Sequence, residues 1–316
     1  MREFIIGKND AGQRLDKFLH KLMPSIPDSM LYKGLRKECV RLHGKHAKDA
    51  GVKLNEGDVL KLYYNDEFFE KIADDSFKKL NPKLDIVYED ENIILVDKPQ
   101  GLCVHEDEDG NNATLIDYIK CYIWKKGEYD PDKEQSFAPA LCNRIDRNTR
   151  GIVIAAKNAE ALRIMNEKIK NREIEKYYIC VVDGIMKEKN GELRAYLRRD
   201  EHKKQVYVYH NPTEGAKTII TAYKVLYEGK GRSLLEVLLK TGRTHQIRAH
   251  FAFIGHPLIG DGKYGKNDIN KAAGVFRQSL CSHRLKFSFK TDAGCLDYLQ
   301  DREFAIGEIP FYELVK

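Results

Sequence analysis

The sequence predicts an α+β fold with two parts, a large domain on a mixed, largely antiparallel sheet and a small N-terminal α/β domain. Two observations predict the sheet: segments of strand type outnumber those with helical spacing, and strand pairs recur as hairpins. The length of 316 residues exceeds the usual range of one domain, about 50 to 250 residues. Hydrophobic residues at 42% and charged residues at 32% are typical of a globular protein with a sizeable core.

The charge is distributed unevenly along the chain. The total of +6 is small, but residues 1–64 hold 13 Lys and Arg against 8 Asp and Glu, a net charge of +5. Residues 65–90 hold 4 basic and 8 acidic residues, a net charge of −4. We therefore predict a basic head at 1–64, an acidic linker at 65–83 and a large domain at 84–316.

The basic head is predicted to contain two helices followed by strands. Gln13 to Met23 has apolar residues at helical spacing, and Ser29 is placed to cap a second helix that runs to about Glu38. This second helix and the strand and turn after it carry a row of cations: Lys33, Arg36, Lys37, Arg41 and Lys45. A solvated helix face would explain the first three, but the continuation into the adjoining strand favours a surface that follows phosphates.

Up to residue 239, the apolar pattern of the large domain predicts six strands and one helix. They are, in order, two strands within 84–99, a buried strand at 151–157, a helix at 159–170, a strand at 176–183 and a hairpin with strands at 219–227 and 233–239.

Cysteine usage and hydropathy argue against several classes of protein. The seven cysteines are scattered and form no Cys-x-x-Cys pair, which is typical of reduced thiols rather than of a disulfide framework or a zinc site. No apolar run approaches the roughly 18 residues of a membrane-spanning helix, and the N-terminus lacks a signal-peptide pattern. We expect a cytoplasmic protein without a membrane partner. No heptad or long apolar edge argues against a monomer.

The first candidate functional segment lies just before the strand at 151–157. Asp146 stands among three arginines, Arg144, Arg147 and Arg150. Nearby cations stabilise an ionised carboxylate, which favours an anion acting as nucleophile or ligand rather than as proton donor. A loop ion pair at the strand entry is the competing interpretation. A glycosidase would need a second carboxylate, and the sequence offers none nearby.

A second segment, residues 240–251, combines cations with a predicted helix start. Thr244 is placed to cap this helix. Arg243, His245 and Arg248 would then lie near its N-terminal end, where backbone N–H groups favour anions.

Metal and nucleotide sites are poorly supported by the pattern. His245, His250 and His256 are spaced by five and six residues, so no pair shares a helical face, and no acidic ligand stands beside them. The glycine-rich residues 255–265 lack the spacing of a phosphate-binding loop or a dinucleotide motif. We predict no metal and no cofactor.

Together and in this order, these segments resemble the RluA-type family of RNA pseudouridine synthases. The family motif His-Arg-Leu-Asp-Arg-x-Thr-Ser-Gly is matched at 143–151, with Asn, Ile and Arg in place of His, Leu and Ser. Lys-Pro-x-Gly-Leu-x-Val-His is matched at 98–105, and Gly-Arg-Thr-His-Gln-Ile-Arg at 242–248. The Lys-x-Tyr, Gly-His-Pro and Gly-Asp-x-x-Tyr-Gly elements are matched at 176–178, 255–257 and 260–265. The resemblance covers roughly residues 84–290.

The resemblance implies an isomerase that detaches uracil from ribose, turns it and rejoins it through carbon 5, without cofactor or metal. It implies that Asp146 is the catalytic carboxylate and that Arg248 pairs with it. It further implies that Tyr178 stacks on the uracil and helps to remove the carbon 5 proton late in the reaction. By the same resemblance, Arg144 has the base-flipping position, where a flat cation fills the vacated space. Whether Asp146 attacks the sugar or abstracts a proton stays open.

The head resembles the alpha-L RNA-binding domain of ribosomal small-subunit protein S-four over about 50 residues. Its marks are Arg14-Leu15-Asp16, a Ser-capped basic helix, a His43-Gly44-Lys45 turn where the family has Asn-Gly-Lys, and Gly57-Asp58. The resemblance implies RNA as the partner, with large-subunit rRNA as the first expectation and tRNA as the alternative.

Two other functions compete with this interpretation. A non-catalytic RNA-binding or ribosome-assembly protein would share the basic head but would not need Asp146, Tyr178 and Arg248 together. A glycosidase would act on a small sugar and would not need the basic head.

Overall fold

The computed structural model describes residues 1–70, 76–105 and 113–316, so residues 71–75 of the predicted acidic linker lie outside the described part. The chain forms two compact units. The first comprises Met1–Lys83, Ile116–Ala140 and Ala156–Arg163, and the second Leu84–Leu115, Leu141–Ala155 and Ile164–Lys316. The predicted domain boundaries stay a prediction.

The head forms a small α/β structure around a four-stranded antiparallel sheet. Its elements are β1 (Arg2–Ile5), α1 (Leu15–Leu22), α2 (Asp28–Arg36), β2 (Val40–Leu42), β3 (Lys45–His46) and β4 (Val59–Leu62), with strand order β1-β4-β2-β3. Phe18 and Leu19 of α1 share one apolar core with Leu31 of α2 and Leu60 of β4. The predicted cap is wrong, because Pro27 takes the N-cap position and Ser29 lies inside the first turn.

The turn between β2 and β3 explains why His43 can replace the family's Asn. His43 and Gly44 both have positive φ, 50° and 76°, which is the conformation that a two-residue hairpin loop of type I′ requires. Histidine is among the residues that tolerate this left-handed region. The His43 ring Nε2 lies 2.8 Å from Asp58 Oδ1, so the turn is held to the start of β4.

From residue 84 onward the chain forms one large sheet with helices. The elements are β5 (Ile86–Glu89), β6 (Ile93–Lys98), α3 (Leu115–Lys125), β7 (Ala140–Leu141), β8 (Arg150–Ala156), α4 (Ala159–Lys170), β9 (Ile174–Asp183), β10 (Asn190–Asp200), β11 (Gln205–Tyr209), β12 (Lys217–Gly229), β13 (Arg232–Leu239), α5 (Gln246–Phe253), α6 (Asn267–Ala273), β14 (Leu280–Phe287) and β15 (Glu303–Ala305).

The order of this sheet is β11-β10-β12-β13-β9-β14-β8-β6-β5, with β15 beside β14 and β7 beside β8. Its pairs are mostly antiparallel, and β14 pairs with β8 in parallel, so the predicted mixed α+β fold is confirmed. The predicted hairpin is the β12–β13 pair. No helix among the described residues is long and apolar enough to cross a membrane.

Two packing features position α5 and the loop before β8. Ala249 of α5 packs with Ala195, Leu197 and Ile219 of the sheet, which holds the first turn of α5 in place. At the start of β8, a Cβ on Gly151 would lie 2.3 Å from the Ser282 carbonyl oxygen, and the φ there is +126°. Only glycine fits this close approach of β8 to β14, which orders the end of the loop before it.

Candidate active site

Asp146 lies in the loop before β8, and one of its carboxylate oxygens is held by a distant arginine. Arg248 Nη1 donates to Asp146 Oδ2 at 2.8 Å. The Asp146 side chain is 28% exposed and that of Arg248 only 9%. Within the described ranges Asp146 Oδ1 has no hydrogen-bond partner. The carboxylate is therefore anchored through one oxygen and available through the other.

Arg248, in the first turn of α5, is itself held by a second carboxylate. Its Nε and Nη2 donate to Asp261 Oδ2 and Oδ1 at 2.7 and 3.0 Å. Burial alone would lower the pKa of Arg248, but the hydrogen bonds and charge of Asp261, together with Asp146, raise it above its ordinary value. Burial likewise opposes ionisation of Asp261, yet Arg248 outweighs it and lowers the pKa of Asp261. Both groups of this fork are therefore charged.

Tyr178 lies on β9, between Val237 of β13 and Ser282 of β14, and only 6% of it is exposed. Burial raises the pKa of its phenol to about 12, and the negative charge of Asp146 acts in the same direction. The phenol is therefore neutral near pH 7. A flat, neutral ring beside Asp146 provides a stacking surface.

Arg144 is exposed, whereas the adjacent Ile145 is buried. No hydrogen bond or ion pair joins the Arg144 side chain to another described residue. The preceding Asn143 accepts the backbone N–H of Ile154 through Oδ1 at 2.7 Å, which ties the loop to β8. Arg144 is thus an exposed cation on a backbone segment that the Asn143 side chain anchors.

A cavity of about 330 Å³ brings these residues together. It is lined by Asn143, Arg144, Ile145, Asp146, Thr149, Ile169, Lys176, Tyr178, Leu239, Gly242 to Arg248, and Leu280. The volume lies in the range of small-molecule sites, about 300 to 1,000 Å³. All four residues predicted for the large domain, Asp146, Arg144, Tyr178 and Arg248, line this one cavity.

Asp146 pairs with the distant Arg248, whereas two of the arginines beside it in the sequence bind other groups. Arg150, the first residue of β8, donates through Nε and Nη2 to Asp97 of the adjacent strand β6 at 3.0 and 2.8 Å, and through Nη1 to Glu308 at 3.1 Å. Arg147 donates through Nε to the Gly101 carbonyl at 3.1 Å. The expectation for Arg150 is wrong, because the first residue of the strand faces β6.

His245 completes the surroundings of Asp146. Its Nε2 lies 3.7 Å from Asp146 Oδ2, and its Nδ1 lies 2.9 Å from the Tyr264 hydroxyl. His245 is the N-cap of α5 with φ +53°, so the predicted cap by Thr244 is wrong. Burial lowers the pKa of His245. The negative charge of Asp146 raises it, but the positive charges of Arg248 and Lys263 add to the effect of burial, and the pKa stays below its ordinary value.

Lys98 is bonded to the backbone of the loop that carries Asp146. It is fully buried, and its Nζ donates to the carbonyl oxygens of Pro99, Leu102 and Arg147 at 2.9, 2.9 and 3.0 Å. Burial lowers its pKa to about 8. The third bond fixes the backbone immediately after Asp146.

The three histidines considered for a metal have separate partners. His250 Nδ1 bonds the Thr221 hydroxyl, His256 Nδ1 lies 2.8 Å from the Asp183 carbonyl, and His245 contacts Tyr264. In the described part of the chain, no group of three or more His, Cys, Asp and Glu is arranged to hold a metal ion.

The cations predicted for the head belong to the first unit. Lys33, Arg36, Lys37 and Lys45 are exposed. Arg41 is half-buried, pairs with Glu38 at 3.5 Å and lies 5.7 Å from the Tyr63 ring centroid. Four of the five cations are therefore accessible.

The family model described as RNA pseudouridylate synthase matches residues 92–253. The chain belongs to the RNA pseudouridylate synthase family. An uncharacterized RNA pseudouridine synthase of Mycoplasma capricolum is 30% identical to it over 305 residues, which are 96% of each chain. The ribosomal large subunit pseudouridine synthase C of Buchnera aphidicola subsp. Acyrthosiphon pisum is 31% identical over 84% of this chain and 81% of that relative.

Solved structures share the fold of this pseudouridine synthase. Human RNA Pseudouridylate Synthase Domain Containing 1 matches with a TM-score of 0.54 and 21% identity, over 73% of this chain and 94% of that chain. Human RNA Pseudouridylate Synthase Domain Containing 4 matches with a TM-score of 0.55 and 20% identity, over 72% and 89%. By family membership the synthase is an RNA isomerase.

Three residues around the carboxylate of the synthase were not assigned a role from the sequence: Asp261, His245 and Lys98. The Gly-Asp-x-x-Tyr-Gly, Gly-Arg-Thr-His-Gln-Ile-Arg and Lys-Pro elements pointed to their positions. Their roles depend on contacts between distant segments, and no spacing rule supplies these contacts.

Proposed function

We propose that this pseudouridine synthase modifies uridines of large-subunit rRNA, with Asp146 as its catalytic carboxylate. The observation that carries the proposal is the Arg248–Asp146 hydrogen bond at the wall of the cavity, which leaves Asp146 Oδ1 without a protein partner among the described residues. A relative named ribosomal large subunit pseudouridine synthase C, from Vibrio parahaemolyticus, is 32% identical over 82% of this chain and supports the rRNA substrate.

In the proposed mechanism, Asp146 acts as an anion from the start. The Arg248 guanidinium offsets its charge and orients Oδ2, so that Oδ1 assists the departure of uracil from the ribose. It does so by attacking the sugar or by abstracting a proton from it. The uracil then rotates and its carbon 5 bonds to the sugar carbon that N1 has left, which frees Asp146. Carbon 5 loses its proton and N1 gains one, so the product is an isomer of uridine.

Tyr178 and Arg144 are proposed to bind the base and to open the RNA. The Tyr178 ring lines the cavity beside Asp146, which suits stacking on the flipped uracil. Its pKa of about 12 keeps the phenol protonated near pH 7, so little of the phenolate that could take up a proton is present, and we assign Tyr178 stacking rather than proton removal. The exposure of Arg144 supports a role in which its guanidinium fills the space that the extruded uridine leaves in the RNA.

The head is proposed to be an RNA-docking domain of the alpha-L type. The exposed cations Lys33, Arg36, Lys37 and Lys45 lie on α2 and on the β2–β3 turn, as expected for a surface that binds phosphates, and Arg41 extends the row. The type I′ turn at His43-Gly44 and the His43–Asp58 bond support the assignment, since they keep the shape of the Asn-Gly-Lys turn.

Mapping of pseudouridines tests this function. The synthase is incubated with large-subunit rRNA and with tRNA transcripts, without metal or nucleotide, and pseudouridines are read by carbodiimide-stop sequencing. We expect discrete new stops in rRNA and none with the Asp146→Asn protein. Stops in tRNA alone would contradict the substrate, and an absence of stops in either RNA would contradict the catalytic function.

A further inference from the structure

We propose that His245 is a positioning residue for Asp146: Tyr264 holds the imidazole so that its Nε2–H faces Asp146 Oδ2. The inference deepens the proposed function and rests on Asp146 being the catalytic carboxylate. Two donors, Arg248 Nη1 and His245 Nε2, would then act on the same oxygen from 2.8 and 3.7 Å. Oδ1 stays available to the substrate.

The hydrogen bonds of Tyr264 determine the tautomer of His245. The Tyr264 oxygen accepts the backbone N–H of Val206 at 3.1 Å. Within the described ranges its hydroxyl hydrogen has one acceptor in reach, His245 Nδ1 at 2.9 Å. A neutral imidazole that accepts at Nδ1 carries its proton on Nε2. The proton therefore points to the side of the ring on which Asp146 lies.

Tyr264 is well placed for this function because it supports both donors. Its ring meets the His245 ring edge-on, with centroids 5.6 Å apart, and the Arg248 guanidinium carbon lies 5.3 Å from its ring centroid. The backbone N–H of Tyr264 donates to Asp261 Oδ1 at 3.0 Å, so the residue is tied to the carboxylate that holds Arg248. One tyrosine thus links the two groups that act on Asp146.

The backbone at His245 supports a specific requirement for its side chain. Its φ of +53° lies in the left-handed region, which most side chains avoid and which Asn and His tolerate. The His245 carbonyl accepts the N–H of Ala249 at 2.9 Å, so this conformation starts α5. An imidazole in this conformation reaches both Tyr264 and the cavity.

A neutral donor suits the chemistry better than a second cation. The charged groups around His245 are Asp146, Asp261, Arg248 and Lys263. The site already contains one cation paired with Asp146, and a neutral N–H orients the carboxylate without weakening it further as a base or nucleophile. The present 3.7 Å exceeds hydrogen-bond length, and such contacts commonly tighten when a substrate fills the site.

Two substitutions of His245 separate the effect of the side-chain donor from that of the left-handed backbone conformation. Glutamine can place an amide N–H near the Nε2 position, but it fits the left-handed backbone poorly. Asparagine fits that backbone but is too short to reach Asp146. We expect His245→Asn to lower kcat about 10- to 100-fold with a small change in KM, and His245→Gln to retain more activity. Equal or higher activity of the Asn protein would overturn the inference.

Nitrogen NMR reports the tautomer of the His245 ring. A purely structural role of His245 would not require any particular tautomer. At neutral pH we expect the His245 ring to be protonated on Nε2 alone, and Tyr264→Phe to shift the population toward the Nδ1–H form. An Nδ1–H tautomer in the wild-type protein would overturn the proposal.

The failure of this inference can be distinguished from failure of the proposed function. If Asp146→Asn keeps activity, the proposed function fails. If Asp146→Asn is inactive while both His245 variants keep wild-type kcat, only the positioning role fails. Far-ultraviolet circular dichroism of each variant confirms that it is folded before its kcat is compared.

Discussion

Arg248 binds Asp146 and Asp261 at the same time, with all three of its guanidinium nitrogens engaged. The two carboxylates differ in exposure: the Asp261 side chain is fully buried, whereas that of Asp146 is 28% exposed. Asp261 therefore serves as the fixed anchor of the arginine, and Asp146 as the group that faces the cavity. This asymmetry gives a physical reason for one carboxylate to react and the other to support it.

Replacing Asp261, which anchors Arg248, should impair both stability and catalysis. Asp261→Asn leaves the buried Arg248 charge without its main partner, and we expect a loss of about 3 kcal/mol in the free energy of unfolding. The kcat should fall by about tenfold or more, since the orientation of Asp146 depends on Arg248. Urea denaturation and single-turnover kinetics measure the two effects. Asp183→Asn, at a partly exposed pair with Lys266, is the control and should change stability by less than about 1 kcal/mol.

A buried ion pair away from the cavity predicts a pH dependence of stability. Lys168 donates to Glu173 at 3.0 Å and also to Thr291, and both charged side chains are buried. The backbone N–H of Lys290 and then the Lys168 charge lower the pKa of Glu173 to about 2, against the effect of burial.

Because the folded pKa of Glu173 is below its unfolded value of 4.5, its ionisation stabilises the fold above about pH 4.5. This contribution is lost as the pH falls from 4.5 towards 2. Glu173→Gln should cost about 3 kcal/mol at neutral pH, and the gap to wild type should narrow over that acidic range. Denaturant titrations from pH 7 to pH 3 provide the test, and a gap independent of pH would disprove the assignment. Glu192→Gln, at an exposed pair with Lys240, serves as the control.

Arg144 should matter most where the target uridine is stacked. We expect Arg144→Ala to lower kcat/KM about 10- to 100-fold on folded RNA and far less on an unstructured oligonucleotide, because the latter needs no extrusion. Arg243→Ala, at another exposed arginine of the cavity wall, is the matched control and should affect both substrates alike. An equal loss on the two substrates for Arg144→Ala would argue against base flipping.

Reversing the charge of the head should weaken RNA docking. We expect Lys33→Glu, Arg36→Glu and Lys37→Glu together to reduce RNA affinity and to lower the salt dependence of binding by up to about 3 in log–log slope. Fluorescence anisotropy across a salt series measures both quantities. The control reverses three exposed lysines of the second unit, Lys187, Lys271 and Lys290. An unchanged slope in the head variant would mean that phosphates bind elsewhere.

Local patterns in the sequence were sufficient for much of the fold. The helix predicted at 159–170 is α4 with those bounds, and the predicted hairpin is β12–β13. Periodicity did not reveal β10 and β11, nor the parallel pairing of β14 with β8. Strand order in a sheet depends on pairing between distant segments, and a local repeat of apolar residues carries no information about it.

The site shows the same division between local and distant information. Asp146 and Arg248 are 102 positions apart, and family motifs rather than spacing indicated their pairing. The neighbours of Asp146 in the sequence predict stabilisation by three arginines, yet one of them, Arg150, binds Asp97 across the sheet. A residue's neighbours in sequence set its local conformation, but its charge partner depends on which strand or helix lies beside it.

The most direct test of the account is the isomerisation activity of Asp146→Asn. Asparagine keeps the size of the side chain and can still meet Arg248, so the fold and RNA binding should persist. We predict no pseudouridine above background in rRNA by carbodiimide-stop sequencing, with RNA affinity within about threefold of wild type by anisotropy. Measurable pseudouridine formation by this variant would contradict the central claim that Asp146 carries the reaction.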